Sequence, residues 1–540
     1  MKPDDVEPPL RSLTWRVRLA LGAVFLFSLM VTASIQFSQF GLVGADGHYH
    51  VRLAKIVSEQ GPLDGFEWTQ TSINRDRFMD KEFLFHVLLI PFLGDDLRTG
   101  PKILTALLAA LLMTLLAWIA WRQGMPLFWL AALLLLAAGT HFNFRMALTR
   151  PHLLSVLLAV GTAYLLLRRH GWGLLLIATL FPLCYTAFHL LPLLAVIYGV
   201  ARLLHGKRFA WRELALVLVG TGLGLLLHPN RANIAYHWYL VNVEVMANAW
   251  RLAPLMGVEF IAPSGRVLVW DCGLLLFGTM GAMLLTMLSG VKSSLRTTFF
   301  LLLSLGFLVM FLSITRLVEY WVPFTSLFLL STAGDWRDAG HGLGRWLRDY
   351  GRLASAILVG FGLLVSLMSL RGLVLTQQKV AEEKVTGRIP TYEAGGRFLA
   401  RRVPAREQVF TCGWDTFVFL FYYAPQAHYL VHLDPTFMLA YDVNLFDLWL
   451  RIGRGQQADA FERIRNDFKA RWIFIEHQPS YADFLAQARR STRLVQVFEG
   501  PQSSVFVFNP FHGVVQLAMR ECLRFGLLPQ FALTSETVRY

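Results

Sequence analysis

Residues 103–121 read ILTALLAALLMTLLAWIAW, contain no charged side chain and are followed by Arg122. An α-helix needs about 20 apolar residues to cross the roughly 30 Å hydrocarbon core of a lipid bilayer. This stretch meets that requirement, so it predicts a transmembrane helix. Its length and composition decide the class of fold.

The rest of the chain repeats this pattern. Its 540 residues are 55% hydrophobic and 16% charged, and the mean hydropathy is +0.48. We therefore expect a polytopic α-helical membrane protein. The apolar stretches predict about eleven spans, at residues 17–40, 103–121, 126–140, 153–167, 171–187, 188–203, 212–228, 267–289, 297–314, 317–333 and 353–373. The apolar stretch 83–92 is too short to cross and is predicted to lie at the interface or to re-enter.

Cations in the short loops indicate the orientation of the spans, because Lys and Arg resist translocation. With the amino terminus in the cytoplasm, Arg122, Lys207, Arg296 and the other cations of the short loops lie on the cytoplasmic side. An odd number of spans then exports the residues after about 375. The net charge of +14 is mainly a topology signal, with attraction to anionic membrane lipids as a second effect. Nothing indicates nucleic-acid binding.

The composition changes near residue 375, where strand-like and helix-like periods begin to alternate. They predict strands at 408–412, 429–433, 472–476, 494–498 and 504–508, and amphipathic helices at 458–469 and 481–490. We therefore expect a transmembrane catalytic domain at residues 1–374, with outer loops at 41–102 and 229–266. A soluble, extracytoplasmic α/β domain is expected at residues 375–540.

The four cysteines, Cys184, Cys272, Cys412 and Cys522, lack the paired spacing of a zinc or redox site. We expect buried thiols. A disulfide between Cys412 and Cys522 in the exported domain is the alternative.

The polar residues that cytoplasmic anchoring does not explain gather on the outer face of the predicted topology. This pattern indicates one extracytoplasmic site. Its candidate residues are Asp46, His48, His50 and Arg52 in the first outer loop, Arg145, Arg150 and His152 between the third and fourth spans, Glu244, Arg251 and Glu259 in the loop 229–266, and Arg316 and Glu319 near a span end.

The types of these residues suggest the chemistry of the site. The planar fork of Arg donates two parallel hydrogen bonds to phosphate, so Arg316, Arg150 and Arg145 are candidates for binding a lipid phosphate or diphosphate. Carboxylates suit a divalent cation or a proton-abstracting role, and Asp46 is the candidate for either. The predicted ligands of a divalent cation, Mg²⁺ or Mn²⁺, are Asp46, His48, His50 and His152.

Four segments resemble the multi-span GT-C glycosyltransferases that use lipid-linked sugars, and within them the catalytic subunit of oligosaccharyltransferase. The segment Asp46-Gly47-His48-Tyr49-His50-Val51-Arg52 resembles that family's first-loop Asp-x-x-Tyr-x-x-Arg segment. Gly257-Val258-Glu259 is similar to its later outer-loop motif that ends in Glu. Arg316 is similar to its Arg near a span end, and Gly413-Trp414-Asp415 resembles its Trp-Trp-Asp motif.

The resemblance implies an inverting transferase that uses a polyprenyl-phosphate or polyprenyl-diphosphate donor of a sugar or oligosaccharide. It implies that Asp46 binds a metal or activates the acceptor, that Glu259 is catalytic, and that Arg316 contacts the donor's diphosphate. It assigns acceptor recognition to Trp414 and Asp415. The acceptor would be a glycan, a lipid or a protein.

The sequence departs from the family at two places. Residues 141–152, HFNFRMALTRPH, offer cations where the family has a second acidic, metal-binding motif. The Trp-Trp-Asp-Tyr-Gly signature is reduced to Gly413-Trp414-Asp415-Thr416-Phe417. We therefore expect the fold and the donor class to be shared more closely than the acceptor.

Each candidate residue also has a purely structural interpretation. In this interpretation Asp46 is a helix cap, His48 and His50 are interfacial side chains, Arg316 anchors a span end, and Asp415 is a second helix cap.

The alternative functions are a transporter or flippase of lipid-linked glycans, and a non-catalytic glycolipid-binding membrane protein. We expect a bacterial inner-membrane protein with its carboxy-terminal domain in the periplasm.

Overall fold

The computed structural model describes residues 14–247, 257–341, 343–385 and 392–509. These residues form two compact units. The first unit runs up to Phe66 and resumes at Asp76, and the second joins Glu67–Arg75 to the residues from Tyr392 onward. A short part of the predicted first outer loop therefore belongs to the carboxy-terminal unit.

The first unit is helical, as the apolar stretches predict. Its longer helices are Trp15–Gln36, Asp46–Gln60, Thr99–Arg122, His152–Arg168, Gly171–Cys184, Leu190–Leu204, Trp211–Leu227, Gly273–Ser289, Leu295–Ser313, Val318–Trp336 and Leu343–Val385. Its shorter helices are Phe83–Leu89, Leu130–Ala137, Gly139–Met146, Ile234–Tyr239 and Val245–Ala247. We call Asp46–Gln60 the first-loop helix.

Every predicted span overlaps one of these helices, but the count of eleven is not confirmed. Within the described ranges, the helices long and apolar enough to cross a membrane are Trp15–Gln36, Thr99–Arg122, Leu295–Ser313 and Val359–Glu382. A fifth candidate is the bent pair Trp211–Leu227 and Arg231–Glu244, which turns by 115°. The predicted span 126–140 is interrupted near Gly139, whose φ of +84° does not suit a helix interior.

Two glycines let the helix Trp211–Leu227 pack closely on Gly171–Cys184. Gly220 and Gly224 share one face of their helix, because residues four apart are neighbours on a helical surface. A Cβ atom at Gly220 would lie 2.7 Å from the Cβ of Ala178, and one at Gly224 would collide with the carbonyl oxygen of Thr179. Close approach of small residues is a common basis of helix pairing in membranes.

The second unit contains a five-stranded sheet. The strands are β1 Gln408–Thr411, β2 His428–Tyr429, β3 Trp472–Glu476, β4 Leu494–Glu499 and β5 Ser503–Phe508. Their order in the sheet is β2-β1-β3-β5-β4. Strand β1 is parallel to both of its neighbours, and β5 is antiparallel to both of its own. Each predicted strand overlaps an observed one, although β2 is much shorter than expected.

Helices surround this sheet. They are Glu393–Arg402, Phe417–Tyr423, Thr436–Tyr441, Val443–Gly453, Ala460–Asn466 and Ala482–Arg490, and the last two overlap the predicted helices. The unit begins at Tyr392, beyond the predicted boundary at residue 375, because the helix Leu343–Val385 continues through that position. Cys184, Cys272 and Cys412 are free, buried thiols, and Cys522 lies outside the described residues.

Residues 67–75, which we call the strap, extend the sheet beyond β2. The Tyr429 N–H donates to the Trp68 carbonyl oxygen over 2.7 Å, and the Gln70 N–H donates to the Tyr429 carbonyl oxygen over 3.2 Å. Thr69 and Tyr429 thus form a parallel bridge. The strap satisfies backbone groups that an edge strand would otherwise leave unpaired.

Candidate active site

Asp46 lies in the first turn of the first-loop helix and pairs with Arg150. Its Oδ2 atom is 2.5 Å from Nη2 of Arg150. The N-cap residue of this helix is Ala45, and its side chain makes no capping hydrogen bond. Asp46 can still stabilise the helix through its dipole, but its carboxylate is engaged by an arginine from another segment.

Glu259 holds two arginines at once. Its Oε2 atom accepts hydrogen bonds from Nη1 of Arg145 and Nη1 of Arg150, each over 2.8 Å. Arg316 lies farther away, with Nη1 at 3.5 Å from Oε1 of Glu259. Burial alone would raise the pKa of Glu259, but Arg150, Arg316 and Arg145 together hold it well below its ordinary value. Glu259 is therefore an anion throughout the neutral range.

Glu319 provides a second anchor for Arg145. Both side chains are buried, and the Arg145 guanidinium donates to Oε1 of Glu319. Glu319 lies in the first turn of the helix Val318–Trp336. The side chain of Arg145 is thus held by two carboxylates from two different segments.

Arg316 is less fully engaged than Arg145 and Arg150. Its Nη2 atom donates to the hydroxyl oxygen of Tyr185 over 3.1 Å, and its guanidinium lies over the rings of Tyr185 and Phe260. Its Nε atom is buried and has no hydrogen-bond partner among the described residues. Arg316 therefore keeps donor capacity for a ligand.

We call these residues the arginine–carboxylate cluster: Asp46, Arg145, Arg150, Glu259, Arg316 and Glu319. The structure brings together six candidates from four separate segments of the sequence. Three guanidinium groups face three carboxylates, so the formal charge of the cluster is balanced. An anionic ligand would therefore bind chiefly through donors that the carboxylates do not already use.

The predicted metal ligands do not converge. Nε2 of His152 donates to the Arg145 carbonyl oxygen over 2.8 Å, and Nδ1 of His48 is 3.0 Å from the Ala45 carbonyl oxygen. No group of three His, Cys, Asp or Glu side chains in the described part of the chain could hold a metal ion. The described side chains thus do not form a ready-made site for the divalent cation, which stays a prediction.

His50 takes part instead in a chain of buried polar groups that the sequence did not reveal. Its Nδ1 atom is 2.9 Å from Nε2 of His86. Nδ1 of His86 is in turn 2.8 Å from the carboxylate of Asp80. All three side chains are almost completely buried. We call Asp80, His86 and His50 the histidine chain.

Asp80 is fixed by two residues that follow the helix Trp211–Leu227. Its backbone N–H donates to Oδ1 of Asn230 over 3.0 Å, and its carbonyl oxygen accepts from Nε2 of His228 over 3.1 Å. The nearby Glu82 is buried as well, and burial raises its pKa. The run Asp80-Lys81-Glu82 before an apolar stretch was the available sequence signal for this group.

Trp414 and Asp415 belong to the second unit, in the loop that follows β1. Trp414 is half-buried and Asp415 is exposed. Glu476, at the end of β3, holds this loop by accepting hydrogen bonds from the Gly413 N–H over 3.0 Å and from Oγ1 of Thr416 over 2.6 Å.

Three further candidates lie outside the arginine–carboxylate cluster and the histidine chain. Glu244 accepts a hydrogen bond from Tyr239 over 3.0 Å, and Arg52 lies half-buried on the first-loop helix. Arg251 lies outside the described residues.

Known structures resemble this chain over most of its length. The apo oligosaccharyltransferase of Archaeoglobus fulgidus has a TM-score of 0.60 and 12% identity, with 86% of this chain and 70% of that chain covered. ArnT from Cupriavidus metallidurans bound to undecaprenyl phosphate has a TM-score of 0.54 and 15% identity, with 92% and 98% covered. The arabinofuranosyltransferase AftD from Mycobacteria has a TM-score of 0.52 and 13% identity, with 93% and 40% covered. The chain has the GT-C fold.

This result confirms the predicted class of fold, a helical membrane protein with a carboxy-terminal α/β unit. Neither a protein-family model nor a curated protein sequence matches the chain. Because identities this low show the fold alone, the function has to be argued from the site.

Proposed function

We propose that this protein is a membrane glycosyltransferase. It moves a sugar or oligosaccharide from a polyprenyl-phosphate or polyprenyl-diphosphate donor to an acceptor on the outer face of the membrane. The observation that carries this proposal is the arginine–carboxylate cluster in a chain of GT-C fold. Guanidinium groups match phosphate oxygens in a planar, two-point geometry, and their burial strengthens the interaction.

The reaction is a single displacement at the anomeric carbon of the sugar. The nucleophilic atom of the acceptor attacks from the face opposite the phosphate. The bond between the anomeric carbon and the phosphate oxygen breaks, its electron pair stays on that oxygen, and the configuration inverts. Negative charge therefore develops on the leaving phosphate, and preorganised donors that meet this charge lower the barrier.

Arg316 is the residue best placed to meet the leaving phosphate. Its buried Nε has no partner among the described residues, and its ion pair with Glu259 is long, at 3.5 Å. Arg150 and Arg145 are further donors, but their hydrogen bonds to Glu259 are shorter, at 2.8 Å. We therefore assign the main phosphate contact to Arg316 and supporting contacts to the other two.

The carboxylates have separate roles. Asp46 acts on the acceptor nucleophile, since it is a partly exposed carboxylate of the cluster and lies on the first outer loop. Glu259 contributes to catalysis by holding Arg145 and Arg150 in place, because the surrounding arginines keep it ionised. A bound divalent cation would supply further charge neutralisation at the phosphate. The steps of this reaction use only side chains of the protein and the two substrates.

Trp414 and Asp415 are proposed to recognise the acceptor, which is a glycan, a lipid or a protein. The proposed location is a bacterial inner membrane, with the second unit in the periplasm. A lipid-linked glycan transporter or flippase is the competing function. It would need its charged groups at mid-membrane in broken helices, and the bent pair Trp211–Leu227 and Arg231–Glu244 is the feature that favours it.

The decisive experiment is mass spectrometry of envelope lipids and glycans from a strain that lacks this gene. The strain is complemented with wild type, with Asp46→Asn, or with Asp64→Asn as a matched control, at equal protein levels. Asp64 is exposed in the same outer loop. A transferase predicts that the gene deletion and Asp46→Asn accumulate the same lipid-linked sugar and lose the same product.

Two results would contradict the proposal. If Asp46→Asn restores the product as wild type does, Asp46 has no role in transfer. If the lipid-linked sugar accumulates only on the cytoplasmic leaflet, as shown by its resistance to an external glycosidase, the protein is a flippase.

A further inference from the structure

The histidine chain joins three buried side chains end to end. The carboxylate of Asp80 lies 2.8 Å from Nδ1 of His86, and Nε2 of His86 lies 2.9 Å from Nδ1 of His50. An ionised carboxylate only accepts hydrogen bonds, so Nδ1 of His86 carries a hydrogen. The nitrogen-to-nitrogen contact also needs one hydrogen, which either ring can carry.

These two placements of one hydrogen define two states of the chain. When His50 carries it on Nδ1, both rings are neutral and Nε2 of His50 presents a lone pair. When His86 carries it on Nε2, His86 is an imidazolium beside Asp80, and Nε2 of a neutral His50 bears a hydrogen. The second state holds one more proton than the first. To reach it, His50 takes up a proton on Nε2 and passes its Nδ1 proton to His86, where the positive charge ends.

The His50 end of this chain lies on the same helix as Asp46 of the arginine–carboxylate cluster. His50 follows Asp46 by four residues, so both side chains lie on the same face of the first-loop helix. Burial lowers the pKa of His50, and the charges of His86 and Arg150 lower it further. Nε2 of His50 has no hydrogen-bond partner among the described residues, whereas the carboxylate of Asp46 is occupied by Arg150 at 2.5 Å.

We propose that the histidine chain is a proton relay for glycosyl transfer, with Nε2 of His50 as the group that takes the proton from the acceptor nucleophile. This inference rests on the proposed transferase function and adds three residues to it. His50 is the catalytic residue of the relay, and His86 and Asp80 are positioning residues that act through it. Asp46 then orients the nucleophile by accepting a hydrogen bond from it.

The step balances without any further reactant. The nucleophile forms its bond to the anomeric carbon and gives its proton to Nε2 of His50. The Nδ1 proton of His50 moves to Nε2 of His86, which becomes an imidazolium paired with Asp80. The leaving phosphate keeps the electron pair of the broken bond, and the relay resets when its proton returns to water after product release.

The surroundings of the two rings differ. His50 is buried and its polar contact within the described residues is to His86, whereas His86 also lies 2.8 Å from the carboxylate of Asp80. A positive charge is therefore better placed on His86 than on His50. Transfer of that charge to His86 places it against the carboxylate of Asp80, which favours it electrostatically.

The test uses full-length protein in lipid nanodiscs and the lipid-linked sugar that accumulates in the gene-deletion strain. The variants are His50→Gln, His50→Ala and His86→Gln, with Lys55→Gln as an exposed control on the first-loop helix. For each variant, kcat and the donor KM are measured across a pH series. Restoration of the rate of His50→Ala by added imidazole is measured as well.

The relay predicts that His50→Gln and His86→Gln lower kcat by about 10²-fold or more, the usual value of general-base catalysis, while the donor KM changes little. The pH dependence of kcat should lose its acid limb, imidazole should partly restore His50→Ala, and Lys55→Gln should match wild type. Wild-type kcat in His50→Gln would overturn the relay, as would a loss that is equal at every pH and not restored by imidazole.

The wild-type protein separates this inference from the proposed function. If wild type transfers no sugar from the accumulated lipid, the transferase proposal itself fails. If wild type is active and both His variants are active, the relay alone fails. Should His86→Gln misfold, His50→Gln decides the question, because the His50 side chain makes a single hydrogen bond within the described part of the chain.

Discussion

The carboxylate of Asp46 lies 2.5 Å from the guanidinium of Arg150. This pair joins the first-loop helix to the segment before the helix His152–Arg168, and Arg150 continues the connection by donating to Glu259 over 2.8 Å. One planar guanidinium thus holds two carboxylates at a fixed angle. The geometry of the site depends on that planar fork as much as on its charge.

Replacing Arg150 by Lys tests this dependence. A Lys ammonium keeps the charge but cannot place two donors in the plane that serves Asp46 and Glu259. We expect Arg150→Lys to lower the transfer rate by about 10-fold or more, since a displaced catalytic group costs at least this much. The exposed Arg266 provides the matched control, and Arg266→Lys should retain the wild-type rate in the nanodisc assay. Equal rates for both variants would contradict the bridging role.

Arg316→Gln tests the contact with the donor phosphate. The amide of Gln keeps a hydrogen-bond donor but loses the charge and the fork, and a charge-assisted hydrogen bond contributes about 1.5–3 kcal/mol. We expect kcat/KM for the lipid-linked donor to fall by about 10- to 100-fold. KM for the acceptor should change little. A loss confined to the acceptor KM would assign Arg316 to the other substrate.

The stability of the cluster should be insensitive to mild acid. The pKa of Glu259 is held well below its ordinary value of 4.5, so its ion pairs contribute stability above the unfolded pKa and lose it only as pH falls through the lower folded pKa. Thermal unfolding of Glu259→Gln should therefore show the same deficit relative to wild type at neutral pH and at about pH 5, and the deficit should shrink as pH falls from about 5 to about 3. A deficit that stays constant down to about pH 3 would show that the pKa of Glu259 does not differ between the folded and unfolded states.

The close helix pair offers a test of packing with a control on the same helix. Gly224→Ala should destabilise the protein by about 1–3 kcal/mol, because an added methyl group there overpacks the contact with Thr179. Gly222→Ala should be neutral or slightly stabilising, since no atom lies within 4 Å of its added Cβ. Thermal unfolding in detergent compares the two variants. Similar losses for both would contradict the packing argument, because Ala has the higher helix propensity at both positions and only the contact at Gly224 is close.

The buried side chain of Glu476 should make the stability of the second unit depend on pH. Burial raises its pKa to about 7 from an ordinary value of 4.5. The folded state then binds the proton more tightly than the unfolded state, so stability falls as pH rises from about 4.5 to about 7, by roughly 3 kcal/mol. Glu476→Gln stays uncharged and should avoid this loss.

Hydrogen exchange of β1 and β3 peptides in the full chain measures this effect. The protection of Glu476→Gln relative to wild type, compared at equal pH, should increase from mild acid to neutral pH. A ratio that stays constant would show that Glu476 is ionised in both states.

The sequence predicted elements where the pattern is local. Charge-free stretches located the helices, and β-branched and aromatic runs located the strands, because both patterns follow from neighbouring residues. The number of membrane crossings was harder to predict. Breaks such as that at Gly139 arise from contacts with other segments, where an added Cβ would meet Asp271.

The candidate site was predictable to a similar degree. Topology alone placed Asp46, Arg150, Glu259 and Arg316 on one face, and the structure brings them together. The pairing of His50 with His86 could not be predicted, because it joins residues 36 positions apart through the orientation of a short apolar helix. The same pairing explains why His50 does not join the other predicted metal ligands.

The strap has a consequence for the biosynthesis of the protein. Thr71 donates to the Leu430 carbonyl oxygen over 2.7 Å, although the two residues are 359 positions apart. A ribosome therefore completes the strap long before it makes the strand that the strap covers. Until that strand is synthesised, the backbone groups of the strap lack their partners in the sheet. A carboxy-terminal fragment expressed alone would lack the strap, and its exposed sheet edge could pair with other chains. We therefore expect the second unit to be best expressed with the strap supplied, either as a co-expressed segment or fused to the carboxy-terminal end of the fragment that begins at Tyr392.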